Sequence, residues 1–126
     1  MNCFDVVVIG AGAGGGSAAF HLANKGHNVL IIEKNANFPM KPCGGGMAAS
    51  VQNWFPFSLE QIVEEVIDKV EFTWCLSDKV IAELPGCSPF WIVRRESLDE
   101  FLITKAVNQG AEFLELFEVK EIKNIQ

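Results

Sequence analysis

Residues 4–33 constrain the fold more than any other part of the chain. Val6, Val7, Val8 and Ile9 form a short apolar, β-branched run, the pattern of a strand covered on both faces. Gly10-Ala11-Gly12-Ala13-Gly14-Gly15 follows, then a helix expected over residues 17–25, then a second strand over 29–33 that closes on Glu33. Ala19, Leu22 and Ala23 supply the inner helix face, and Gly26 is placed to stop the helix in the left-handed conformation. This is the layout of a βαβ unit. Gly10 allows a sharp exit from the strand, Gly12 lets an anion reach the backbone, and Gly15 lets the helix pack close to the strand. The helix start then aims free N–H groups and the positive dipole end at that anion. A carboxylate at Glu33 is positioned to accept both ribose hydroxyls of an adenosine. The motif therefore predicts a site for an adenine dinucleotide, FAD or NAD, and does not choose between them. A glycine-rich loop without a ligand is the competing reading, and the spacing from Gly10 to Glu33 argues against it.

At 126 residues and 49% hydrophobic content, the sequence predicts one domain with a packed core, spanning residues 1–126. The net charge of −6 is uneven: residues 1–50 hold two acids and three lysines, whereas residues 51–126 hold fourteen acids and seven bases. An acidic chain without basic clusters argues against a nucleic-acid partner. Cys3, Cys43, Cys75 and Cys87 include no C-x-x-C pair, and with only His21 and His27 besides, metal-ligand spacing is absent. Reduced thiols in a cytoplasmic protein are expected, with no secretory signal, since Asn2 and Asp5 stand where a basic segment would be. The uncharged residues 6–23 are too rich in glycine for a membrane span, so no transmembrane segment is expected.

Residues 34–50 read as a long loop holding Lys41-Pro42-Cys43-Gly44-Gly45-Gly46. Three consecutive glycines serve either a flexible linker or backbone lying flat against a ligand, and the preceding cysteine favours the second. Ser58-Leu59-Glu60-Gln61 has the form of a capping box, and the apolar residues 59, 62, 63, 66, 67 and 70 recur at helical spacing, so an amphipathic helix is expected there. Residues 70–75 and 79–84 read as a hairpin around Ser77-Asp78, and 90–93 as a third short strand. A second capping box, Ser97-Leu98-Asp99-Glu100, opens a helix to about residue 109 that stops at Gly110. A strand over 112–119, parallel to the first two, and the start of one more over 121–126 complete the chain. The fold class expected is α/β: a Rossmann-like βαβ unit on a parallel sheet with a small antiparallel hairpin excursion.

Three segments together resemble the geranylgeranyl reductase family of flavoproteins, within the wider p-hydroxybenzoate-hydroxylase-like FAD group. They are the fingerprint from Gly10 to Glu33, the Lys41-Pro42-Cys43-Gly44-Gly45-Gly46 loop, and Val93-Arg94-Arg95-Glu96-Ser97-Leu98-Asp99-Glu100-Phe101-Leu102. The last is similar to that group's V-x-R-x-x-(F/L)-D-x-x-L segment. The resemblance implies FAD as cofactor, with NAD(P)H a possible electron donor. It implies that Gly10, Gly12, Gly14 and Gly15 cradle the diphosphate, that Glu33, with Lys34 beside it, holds the adenosine, and that Arg95 lies near the phosphates or the ribityl chain; Arg94 is the lesser candidate. It implies that Cys43, Gly44 and Gly45 lie against the flavin ring. Cys43 is the one catalytic candidate; a reactive thiol needs a lowered pKa, for which the neighbouring Lys41 is the visible cause. A small buried hydrophobe is the other reading of Cys43, and a surface arginine that of Arg95. Trp54, Trp74 and Trp91 are expected in packing roles, and His21 and His27 in structural or exposed ones.

In the resembled family the reaction is hydride reduction of isoprenoid double bonds on diphosphates, pigment precursors or lipids, which would bring the protein to a membrane only through its substrate. Family members are several hundred residues long, so the chain is expected to be incomplete, truncated on its C-terminal side and not catalytic alone. The strand over 4–9 would then keep an uncovered edge, a feature that favours self-association. Two alternatives remain: a stand-alone dinucleotide-binding or regulatory module, and the front end of an FAD-dependent monooxygenase of the same group.

Overall fold

A computed structural model describes residues 3–86 and 89–124, so Cys87 and the end of the strand expected over 121–126 lie outside the described residues. In chain order the elements are β1 (Val6–Ile9), α1 (Ala13–Asn24), β2 (Val29–Ile32), β3 (Gly46–Ala48), a 3-10 turn (Ala49–Trp54), another (Glu60–Ile62), β4 (Val63–Ile67), β5 (Lys69–Trp74), β6 (Ser77–Glu83), β7 (Phe90–Val93), α2 (Arg95–Asn108) and β8 (Glu112–Leu114). They form two compact units, Met1–Lys41 with Arg95–Gln126, and Pro42–Arg94.

The first unit is the expected βαβ layout on a parallel sheet of order β1-β2-β8. Val6 pairs with Val29 and Ile9 with Ile32, while Leu30 pairs with Glu112 and Ile32 with Leu114. α1 starts four residues earlier than the sequence suggests, so Gly14, Gly15 and Gly16 belong to the helix rather than to the turn. It packs against α2 at close range: a Cβ on Gly16 would stand 2.9 Å from the Leu102 Cβ. Phe20, Val29, Ile31, Leu102 and Ala106 are buried at the centre of this unit. Both helices end as expected on left-handed glycines, Gly26 at φ 88° and Gly110 at φ 105°. The double burial expected of β1 is corrected, because Val7 and Ile9 are 48% and 54% exposed. The reason is topological: the described helices cover one face, and among the described residues β1 pairs with β2 alone, which leaves it an edge strand. The strand after α2 stops at Leu114 rather than residue 119, and residues 121–124 form no regular element.

The second unit holds an antiparallel sheet of order β3-β7-β4 and a separate hairpin, β5-β6. The amphipathic helix expected from Ser58 onward is overturned. A single 3-10 turn, Glu60–Ile62, leads straight into β4, which pairs with β7. Val63, Val66 and Ile67 are β-branched and suit the strand once β7 offers a partner. A bulge between Val63 and Glu65 puts Glu64 and Glu65 out to solvent together, which hides the two-residue period in Val-Glu-Glu-Val-Ile. The Ser58 hydroxyl does accept the Glu60 N–H, at 3.2 Å, but caps no α-helix. Gln52 fixes the approach to this turn by donating to the Phe57 carbonyl and accepting from the Leu59 N–H. The hairpin forms as expected, but its turn falls at Cys75-Leu76 rather than Ser77-Asp78. Trp91 is buried, whereas Trp54 and Trp74 are exposed and pack no core.

Candidate functional site

The glycine turn between β1 and α1 is built by backbone geometry. Gly10 sits at φ 98°, where a side chain is strained, and its N–H donates to the Ile32 carbonyl at 2.8 Å. A Cβ on Gly15 would lie 1.9 Å from the Gly10 carbonyl oxygen, so the helix approaches the strand only because that position is bare. Gly14 is exposed and meets nothing within 4 Å, so sterics give it no role. Gly12 is the N-cap of α1, with no side-chain cap bond and no acidic residue in the first turn. The opening N–H groups and the positive end of the helix are therefore left for an anion.

Glu33 follows β2 and reaches back to this turn. One carboxylate oxygen accepts the Ala11 N–H at 2.8 Å, and the other accepts from the Asn35 backbone and side-chain nitrogens at 2.9 and 3.0 Å. Burial pushes this carboxyl up, yet the donors from Ala11, Asn35 and Lys34 outweigh it, so its pKa lies below the usual 4.5. The ionised group lines a cavity of about 290 Å³ with Gly10, Lys34, Phe117 and Val119. That cavity abuts the turn, and Glu33 faces the turn through the Ala11 N–H, while the Lys41 Nζ stands 3.4 Å from where a Cβ on Gly12 would be. The donor set fits a diphosphate at Gly12 and a ribose at Glu33.

Arg95 opens α2, and its Nη2 lies 3.4 Å from Asp99 Oδ1, one helical turn on. The Asp99 carboxylate also takes the Lys41 ammonium. Lys41, read from sequence as the cation beside Cys43, pairs with a carboxylate of the first unit. Asp99 itself went unnoticed as a site residue. Its signal was present: it is the one charged residue among Leu98, Leu102, Ile103 and Ala106 on the buried face of α2. Arg94 pairs instead with Glu64 in the second unit.

Cys43, Gly44 and Gly45 belong to that second unit. Cys43 is exposed, which overturns the buried-hydrophobe reading, and its sulfur accepts the Gly45 N–H at 3.4 Å. Gly44 is exposed with open space around it. Gly45, at φ 70°, lies flat on β7: a Cβ there would be 1.8 Å from the Val93 carbonyl oxygen, and its own carbonyl accepts the Val93 N–H at 3.0 Å. At Gly45 the backbone thus makes a close approach to a strand. Among the described residues no group of three or more His, Cys, Asp or Glu side chains is arranged to hold a metal ion. No described helix is long and apolar enough to cross a membrane.

Comparison with known proteins bears on this geometry. The profile of a family described as pyridine nucleotide-disulphide oxidoreductase matches residues 4–110. A digeranylgeranylglycerophospholipid reductase of Methanopyrus kandleri is 33% identical over 118 residues, a match covering 86% of this chain and 28% of that protein. Among solved structures, a geranylgeranyl bacteriochlorophyll reductase-like protein from Thermoplasma acidophilum superposes with a TM-score of 0.77 at 24% identity, over 90% of this chain and 30% of that one. A myxobacterial chondrochloren halogenase, described as FAD-dependent, superposes with a TM-score of 0.76 at 22% identity, over 90% and 28%. The chain thus spans under a third of the length of these relatives.

Proposed function

Because the chain belongs to the pyridine nucleotide-disulphide oxidoreductase family, we propose that it is the FAD-binding part of an oxidoreductase that reduces isoprenoid double bonds. The observation that carries this reading is the joint geometry of an uncapped helix start at Gly12 and an ionised Glu33 lining the adjoining cavity. Gly10, Gly12 and Gly15 would seat the diphosphate, and Glu33 would take the ribose hydroxyls in exchange for part of its bonding to Asn35. A carboxylate offers about four acceptor positions, so Ala11 need not be released. Lys34, at the cavity wall, would flank the adenosine. Reduced FAD, when bound, supplies the hydride that an alkene accepts. The similarity to digeranylgeranylglycerophospholipid reductase supports a prenyl lipid as substrate, and membrane contact in this reading comes through that substrate. The chain spans under a third of the relatives' length, so in this reading these residues contribute the cofactor site to a larger whole.

The test is to purify the chain with added FAD and pass it over a gel-filtration column. A flavin absorbance band travelling with the protein is expected. Gly12→Val should abolish it while the circular dichroism spectrum is kept. Retention of NAD and not FAD would overturn the cofactor assignment.

A further inference from the structure

We propose that Lys41 is the residue that grips the diphosphate of the bound dinucleotide, from a position set by the buried carboxylate of Asp99. This rests on the FAD reading above and adds a contact that the glycine fingerprint does not contain. The Lys41 Nζ stands 3.4 Å from where a Cβ on Gly12 would be, and Asp99 Oδ2 stands 4.0 Å from the same point. The ammonium is therefore poised over the one glycine whose bare Cα the diphosphate needs.

Asp99 explains why the ammonium is held there. Its carboxylate is 1% exposed, and a carboxylate so deeply buried persists only when paired. Lys41 and Arg95 both pair with it. The α1 start adds partial positive charge, and its first turn contributes no acid. The Glu33 carboxylate, which accepts the Ala11 N–H, is the acid beside this turn, so Lys41 and the helix start are what supply positive charge at Gly12. An ammonium has three donor hydrogens. One satisfies Asp99, and the others remain for phosphate oxygens, so the diphosphate shares Lys41 with Asp99 rather than displacing it. With its side chain 39% exposed, Lys41 is reachable from solvent while its partner is not. A purely structural ion pair would have no reason to stand over the mouth of the turn.

Binding of ADP and of adenosine to the full chain separates these roles, because only ADP carries the diphosphate. Lys41→Met should weaken ADP binding by about ten-fold, the loss expected of one charge-assisted contact, and leave adenosine binding within about two-fold. Lys41→Gln, which can still donate to Asp99, should show the same selective loss if Lys41→Met does not fold. In the wild-type chain, ADP and not adenosine should protect Lys41 from amine acetylation read by mass spectrometry. Equal ADP affinity in the wild type and both variants, or acetylation of Lys41 unchanged by ADP, overturns the assignment of Lys41 alone. Failure of the wild type to bind ADP or FAD overturns the FAD reading and this inference together.

Discussion

Individual residues divide into those whose role the sequence states and those it conceals. The glycines of the first turn look alike in sequence, yet they do different work. Gly15→Ala forces a Cβ to 1.9 Å from the Gly10 carbonyl, a backbone atom that cannot give way cheaply. We expect it to cost at least about 3 kcal/mol in denaturant unfolding. Gly10→Ala meets nothing, and its strain at φ 98° should cost only about 1–2 kcal/mol. Similar costs for the two would sink the close-packing account. Glu33 supplies a pH test. Its folded pKa is depressed, so the folded chain binds fewer protons than the unfolded one between the folded and unfolded values. Its contribution is present above about pH 4.5 and fades as pH falls through the folded pKa. The melting temperature of Glu33→Gln should therefore lie below that of the wild type at pH 7, and the gap should narrow in acid. A gap independent of pH would mean that the hydrogen bonds to Ala11 and Asn35 do not favour the ionised form. Asp99 was hidden for another reason: burial is what gives a carboxylate its consequence, and sequence alone reports only its position in a helical stripe.

Secondary-structure elements were legible where local signals and tertiary demand agree. The βαβ unit, the hairpin and α2 form where period and stop signals place them, although α2 starts at Arg95 and takes in Ser97, the residue expected to cap it. Residues 58–70 carry a helical period and a cap, and still form a turn and strands, because β7 provides hydrogen bonds that a lone segment cannot foresee. The hairpin turn shows the converse. Ser77-Asp78 has the better turn chemistry, but cross-strand pairing puts the turn at Cys75 and Leu76, at φ 49° and 62°. Two non-glycine residues are thereby held left-handed. Cys75→Asn with Leu76→Gly should relieve this and raise unfolding stability by about 1–2 kcal/mol. An unchanged or lower stability would show that the turn is not where the strain lies.

At the scale of the whole molecule, the parallel sheet is left open on one side. Among the described residues β1 pairs only with β2, and Val7 and Ile9 turn apolar side chains outward from it. We expect the purified chain to self-associate with rising concentration, and Val7→Lys with Ile9→Lys to lower the sedimenting mass while the circular dichroism spectrum is kept. A chain that sediments as a monomer across that range would count against an open β1. The sequence by itself determined the βαβ half of this protein: a strand, a bare turn and a helix start arise from contacts within about thirty residues, so their spacing suffices to predict it. Only the tertiary structure decided that residues 63–67 pair as a strand and that Lys41 meets Asp99 over Gly12. Each of these depends on a partner many residues away, and a local pattern carries no information about which distant group will arrive to satisfy a hydrogen bond or a charge.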